Sequence, residues 1–308
     1  MVGPAAQRRV ARGLVQRGAC SERRACCVLA ARRSTVRYVR RIKPDEHALR
    51  ERIKELANKH KRYGYRRIAD RLGKEGWHVN VKRVHRLWKS EGLWIRRKPK
   101  NRRSLGPSAE VAHKAERPND VWCYDFIEDR TERGGKLRML TVLDEFTRES
   151  HAIRVGRSLG SRQVIDTLEW LFLLHGAPRH LRSDNGPEFI AKALRTWLED
   201  RSATTLYIEP GCPWQNPYIE SFHDKLRDEC LNMHLFTDVR NAQDVVEGWR
   251  KEYNEQRPHS SLNYMTPAEF TARCRNSGQP TASLRSGNGE PPRENKQPTE
   301  NPLTPVGP

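Results

Sequence analysis

Apolar residues in the first hundred positions return every three or four residues, the period of a helix with one buried face. Gly13-Leu14-Val15 and Ala25 to Ala31 begin the series, separated by Gly18-Ala19-Cys20-Ser21 with Ser21 placed as an N-cap. That is a helix, a turn and a helix, closed by Pro44. From Asp45 a helix is predicted through Ile53 and Leu56, and Tyr63 to Ile68 opens a second helical unit ending near Trp94. Within it, Ile68, Ala69 and Leu72 line one face of a helix over 66–74. Val81, Val84, Leu87 and Trp88 do the same over 81–91.

The pattern changes beyond residue 118. Val121 to Ile127 is β-branched and aromatic, and Leu137 to Leu143 and His151 to Val155 continue it as an antiparallel meander. Ser161 to His175 reads as a helix burying Val164, Ile165, Leu168, Leu171 and Phe172. A short strand then ends at Ser183-Asp184, and a Gly-Pro turn leads into a helix from Glu188 to about Asp200. A strand over 204–208, a loop over 209–217 and a helix over 218–230 follow. Alternating strands and helices define an α/β domain. The expected organisation is a basic helical segment at 1–43, a helix-turn-helix domain at 44–95, a basic linker at 96–117, an α/β core with a helical extension at 118–275, and a disordered Pro/Gly/Asn/Ser-rich tail at 276–308.

Charge sharpens this division. The chain carries a net +20, but residues 1–103 alone carry +24 and the remainder −4. A strongly basic module joined to a mildly acidic domain points to a polyanion-binding part and a part with another task. The face of the 81–91 helix opposite its apolar stripe holds Lys82, Arg83, Arg86 and Lys89, and Arg66 and Arg67 open the preceding helix. These six are the candidate DNA contacts, and their affinity should be phosphate-dominated and salt-sensitive. The turn over 73–78 is longer than the usual tight one. The most apolar stretch, Thr167 to Leu174, is far short of the roughly 20 residues of a membrane span. No secretory signal is visible, and seven scattered cysteines without a C-x-x-C argue for a reducing cytoplasm and against a disulfide framework or zinc ribbon. His47, His60, His78 and His85 have no Cys pair at ligand spacing, and are expected to be ordinary surface or core residues.

Asp125 lies inside an apolar strand, where a carboxylate is costly unless paired. Asp184 ends a strand, the usual position of site residues in an open α/β sheet, and Glu220 lies in the first turn of a helix. Thirty-five residues separate the last two. Asp129, Asp144 and Glu188 are neighbouring acids; Glu188 suits a helix start, and Asp144 stands near a strand end as a further candidate. Asn185 and Gly186 are expected to shape the turn presenting Asp184.

The spacing of Asp125, Asp184 and Glu220 resembles the DDE signature of transposases and retroviral integrases. The words SDNGPEF (183–189), QNPYIESFHDKLRDECLN (215–232) and YNEQRPHSSLNYMTPAEF (253–270) resemble the downstream-frame product of IS-three-type insertion sequences, and YGYRRI (63–68) resembles its helix-turn-helix. The resemblance covers roughly residues 14–272. It implies an RNase H-like fold: a mixed five-stranded sheet with helices on both faces, behind an all-α DNA-binding region. It also implies a DNA transposase, with Asp125, Asp184 and Glu220 holding two Mg²⁺ or Mn²⁺ ions for strand cleavage and transfer. The expected partners are double-stranded DNA, further copies of the chain on that DNA, and the product of an upstream frame. Lys225 and Arg227 are open to two roles, DNA phosphate contact or pairing within the helix, as of Lys225 with Glu229. Tyr253, Asn254, Arg257, Pro258 and His259 are expected to pack against the core. Two other functions are weighed against transposition: a catalytically silent DNA-binding regulator and an RNase H-type nuclease.

Overall fold

A computed structural model describes residues 3–39, 43–95, 113–184, 186, 192–201, 204–207 and 216–277. The chain divides into two compact units, one ending at Lys59 and the other beginning at His60. The boundary falls inside the span 44–95. The expected linker (apart from 113–117), Glu188, Asn185, Cys212, the loop 208–215 and the tail from 278 lie outside the described residues.

The first unit contains α1 (Pro4–Gln16), α2 (Glu22–Val28), α3 (Arg33–Arg37) and α4 (Glu46–Lys59). Ser21 caps α2 by accepting a hydrogen bond from the Arg24 amide, as its position suggested. Ala11, Ala25, Cys26 and Val36 form a small core among the first three helices. The five-residue α3 carries too few apolar positions to declare itself by period. In α4, Leu49, Ile53 and Leu56 are buried at i, i+4 and i+7, a single stripe.

The second unit opens with α5 (Tyr65–Lys74) and α6 (Val81–Ser90). Gly76, at φ +87°, turns the chain between them, and the Asn80 side chain caps α6 at the Lys82 amide. Ile68, Leu72, Val84, Leu87 and Trp88 are buried as the apolar stripe requires. Val81 is not: it occupies the first position of α6 and is 45% exposed.

Five strands follow: β1 (Val121–Arg130), β2 (Lys136–Asp144), β3 (Ser150–Gly156), β4 (His180–Ser183) and β5 (Thr204–Tyr207). They form one sheet in the order β3-β2-β1-β4-β5. The first three pair antiparallel, while β4 pairs parallel with both β1 and β5. The alternation of side chains sorts the core into two layers. Trp122, Tyr124, Leu140 and Val142 face α7 (Ser161–His175) and α8 (Lys192–Glu199), meeting Val164, Leu168 and Leu198. Cys123, Ile127, Met139 and Val155 face α9 (Pro217–Glu229) and α10 (Val239–Glu255), meeting Ile219, Phe222, Leu226 and Val246. This is the mixed five-stranded sheet with helices on both faces. The last helix, α11 (Pro267–Ser277), runs two residues past the expected end of the core at 275.

The family words near the C-terminus do pack. Asn254 accepts from the Ser150 amide and donates to the Ser150 carbonyl, both at 2.9 Å, fixing the start of β3 to α10. Arg257 is 2% exposed and grips Glu229 of α9 through two hydrogen bonds of 2.5 and 2.6 Å. Among the histidines singled out for a zinc check, His60 stacks on Tyr63 and sits 2.9 Å from Glu252, and His85 tilts against Tyr65. His47 and His78 are exposed.

Candidate active site

Asp125 lies in the middle of β1, on the central strand, paired in register with Thr141 of β2. Strand alternation aims it at the α9 layer, between Cys123 and Ile127. Asp184 follows the last residue of β4, and its Oδ1 accepts the Gly186 amide at 3.1 Å, the turn role expected of that glycine. Glu220 is in the first turn of α9, which starts at Pro217 behind the buried N-cap Asn216. Proline suits this position because its missing N–H has no intrahelical partner to lose, and the helix dipole favours a carboxylate there.

These acids share one electrostatic neighbourhood. Burial raises the Asp125 carboxyl from its ordinary 3.8 to about 7. The hydrogen bond from the Phe126 amide opposes the rise, while the charges of Asp184 and Glu220 add to it and Arg138 offsets part. Two like charges close enough to act on a third, in a half-buried cleft, leave a concentration of negative charge.

A residue not anticipated from the sequence completes the cluster. His223, one turn beyond Glu220, places Nδ1 3.8 Å from Asp125 Oδ2 and Nε2 2.8 Å from the Thr141 hydroxyl. Thr141 donates to the Asp125 carbonyl at 3.0 Å, so His223 Nε2 must carry the proton and Nδ1 faces Asp125 bare. Burial, then Arg227, pushes the His223 pKa down to about 4, consistent with a neutral ring. Its spacing from Glu220 at i+3 was a readable signal, but a lone histidine on a helix has no distinguishing pattern.

Several expectations are corrected by the geometry. Asp144 does not approach the carboxylates: it is buried, and accepts from the amides of Phe146 and Thr147 with one oxygen and Asn119 with the other, holding a turn. Lys225 does not pair with Glu229. It donates to the Ser221 carbonyl and hydroxyl, both at 2.6 Å, because Glu229 is taken by Arg257 and Arg67. Arg67, expected to face DNA, points inward to Glu229 at 3.2 Å and over the Tyr63 ring. Arg227 donates to the Glu128 carbonyl. Lys82, Arg86 and Lys89 are exposed on α6 and Arg66 is exposed on α5, while Arg83 is half-buried. Arg66, Lys89, Tyr65 and Trp94 also line an open groove of about 870 Å³, which mixes cationic and aromatic groups.

A helix-turn-helix-like region thus stands ahead of a mixed sheet with clustered acids, and comparison with known proteins assigns the family. Residues 115–213 and 201–267 match the integrase core domain family, and residues 44–101 match the HTH-like domain family. The chain is 40% identical over 265 residues to the 31.7 kDa protein of insertion element IS407 from Burkholderia multivorans, covering 86% of this chain and 95% of that one. It is 29% identical over 243 residues to the transposase for insertion sequence element IS904 from Lactococcus lactis, covering 73% of this chain and 94% of the relative. A chain of the simian T-cell lymphotropic virus intasome aligns with a TM-score of 0.47 at 14% identity, covering 83% and 80% of the two chains. The chain belongs to the integrase-core transposase family of bacterial insertion sequences.

Proposed function

We propose that this transposase-family chain binds the ends of its element and cuts and joins DNA strands at Asp125, Asp184 and Glu220. The observation that carries the reading is Asp125, lifted to about 7 by burial and by the charges of the other two acids. Such a cluster is unfavourable on its own and suits a hard cation, which takes carboxylate oxygens. Two Mg²⁺ or Mn²⁺ ions, when bound, would supply activation of the attacking oxygen and charge relief at the leaving one. Asp125 on the central strand, Asp184 and Glu220 are the residues that would hold them. No protein nucleophile is required: water attacks the phosphodiester first, and a DNA 3′-hydroxyl attacks second. His223 holds Thr141 and faces Asp125, fixing how the central carboxylate is presented. Arg66, Lys82, Arg86 and Lys89 are the residues we assign to DNA phosphates, with assembly of several chains on paired ends. Arg67, the half-buried Arg83, and Lys225 and Arg227, which donate to Ser221 and the Glu128 carbonyl, are withdrawn from that set.

The test is strand cleavage of duplex DNA carrying the element's terminal sequence, in Mg²⁺ or Mn²⁺, for wild type and Glu220→Gln. The expected result is cleavage and joining by wild type and loss of both in the variant, with DNA binding retained. Equal activity in the two proteins would overturn the assignment. Intact binding with no cleavage by either would favour the regulator, and cleavage of RNA–DNA hybrids without joining would favour the nuclease.

A further inference from the structure

At the opposite end of β1 and β4 from the acids stands a second cluster of metal-ligating side chains. His113, Asp120 and His180 bring one ligand atom each to within 4.8 Å of one another, and among the described residues no other group of three His, Cys, Asp or Glu does so. Asp120 immediately precedes β1, and His180 is the first residue of β4, hydrogen-bonded through its amide to the Asp120 carbonyl at 2.9 Å. Asp125 lies five residues along β1 and Asp184 four beyond His180. At about 3.3 Å per residue that is roughly 13–17 Å away, so this is a separate place in the fold.

We propose that His113, Asp120 and His180 bind one divalent transition-metal ion of the zinc class, tying the segment that enters the sheet to the first residues of β1 and β4. Two buried atoms call for a partner. Asp120 is 2% exposed, and among the described residues neither its Oδ1 nor the buried Nδ1 of His180 has a hydrogen-bond partner. Leaving such atoms unsatisfied is costly, and native folds rarely tolerate it without an ion or water. The other carboxylate oxygen already has its support, accepting the Glu116 amide at 2.9 Å, as ligand carboxylates commonly do.

His113 Nε2 lies 3.6 Å from Asp120 Oδ2, so the imidazole stands beside the carboxylate whose Oδ1 is the open position. The rings of His113 and His180 stand edge to face with centroids 4.6 Å apart, which keeps both imidazoles beside Asp120. Two imidazoles and one carboxylate form a borderline donor set that suits zinc, cobalt or nickel better than magnesium. His113 is 40% exposed on its side chain, which leaves a fourth position to water. Cations nearby do not block the site: Arg182 is committed to Glu145 at 2.8 Å, and Arg179 is exposed. His113 is itself pinned, with its carbonyl accepting from Arg182 at 2.6 Å and its backbone at φ +66°.

The experiment uses the full chain without an affinity tag, with Asp125→Asn and Glu220→Gln so that the acid cluster contributes no binding. Co²⁺ is titrated as a spectroscopic probe, followed by competition with Zn²⁺ and measurement of bound zinc after dialysis. One Zn²⁺ per chain is expected, with a visible Co²⁺ absorption of tetrahedral intensity. His113→Ala, a surface change that leaves the sheet intact, should weaken binding at least tenfold and remove the visible band, and His180→Gln should do the same. An unchanged stoichiometry and affinity in His113→Ala, or no Co²⁺ band in the parent, would overturn the site. The readout is metal binding, so it stands or falls independently of the cleavage assay.

Discussion

Asp125 should destabilise the metal-free protein above neutral pH, and removing its charge should make the fold more stable. Its folded pKa of about 7 lies well above the ordinary 3.8, which corresponds to roughly 4 kcal/mol. A carboxyl raised on folding is protonated in the native state and ionised in the unfolded one between those two values. The native state then binds the additional proton, and stability falls as pH rises from about 4 to about 7. Above pH 7 the full cost is present; below pH 4 it vanishes. Asp125→Asn keeps an oxygen to accept from the Phe126 amide and the same shape, so it removes the charge and little else. In EDTA at pH 8, denaturant unfolding should show the variant more stable than wild type by about 2–4 kcal/mol, with the difference shrinking toward zero at pH 4. Titrating groups remote from the acid cluster cancel in the difference, and the coupled charges of Asp184 and Glu220 belong to the effect being read. Mg²⁺ should then stabilise wild type and leave the variant nearly unmoved. A variant equal to or weaker than wild type at pH 8 would refute the account of Asp125 as an uncompensated charge.

The remaining expectations concern the surroundings. Arg257→Ala leaves the buried Glu229 carboxylate with Arg67 as its remaining partner and should cost about 1–3 kcal/mol in the denaturant midpoint analysis. Asn254→Ala removes both bonds to Ser150 and should cost about 1–3 kcal/mol, with faster hydrogen exchange at the Ser150 amide. Joint replacement of Lys82, Arg86 and Lys89 by Ala should reduce the salt slope of DNA binding by about one per lost phosphate contact, as read by titration at several salt concentrations. His223→Ala should lower cleavage while leaving DNA affinity unchanged, and His223→Gln, whose amide can still donate to Thr141, should restore part of it.

The architecture was largely readable because its periods are clean. The 161–175 helix matches the expectation at both ends, and β4 ends at Ser183 where the strand is expected to end. What period cannot tell is which polar side chain is spent on another. Asp125 inside its strand and Asp144 at a strand end are both acids among apolar residues, yet Asp144 accepts the amides of a turn while Asp125 faces a helix. Arg67 and Arg66 are adjacent and chemically identical, but rotation by one helical position sends one inward to Glu229 and the other to solvent. The cluster of His113, Asp120 and His180 joins positions scattered over the sequence, and only the parallel pairing of β1 with β4 brings them together.

Helix α9 meets the segment that leads into α5 at its far end. Arg62 and Arg67, at the start of the α5 segment, bind Asp228 and Glu229, nine residues or fewer beyond Glu220 on the same helix. Exchange of recognition modules between related elements therefore cannot be free. A transplanted module must bring its own arginines at these two places, or the recipient must change its acids in step. Lineages in this family should inherit the two ends of that contact together, and chimaeras that split it should fail before DNA sequence preference is ever tested.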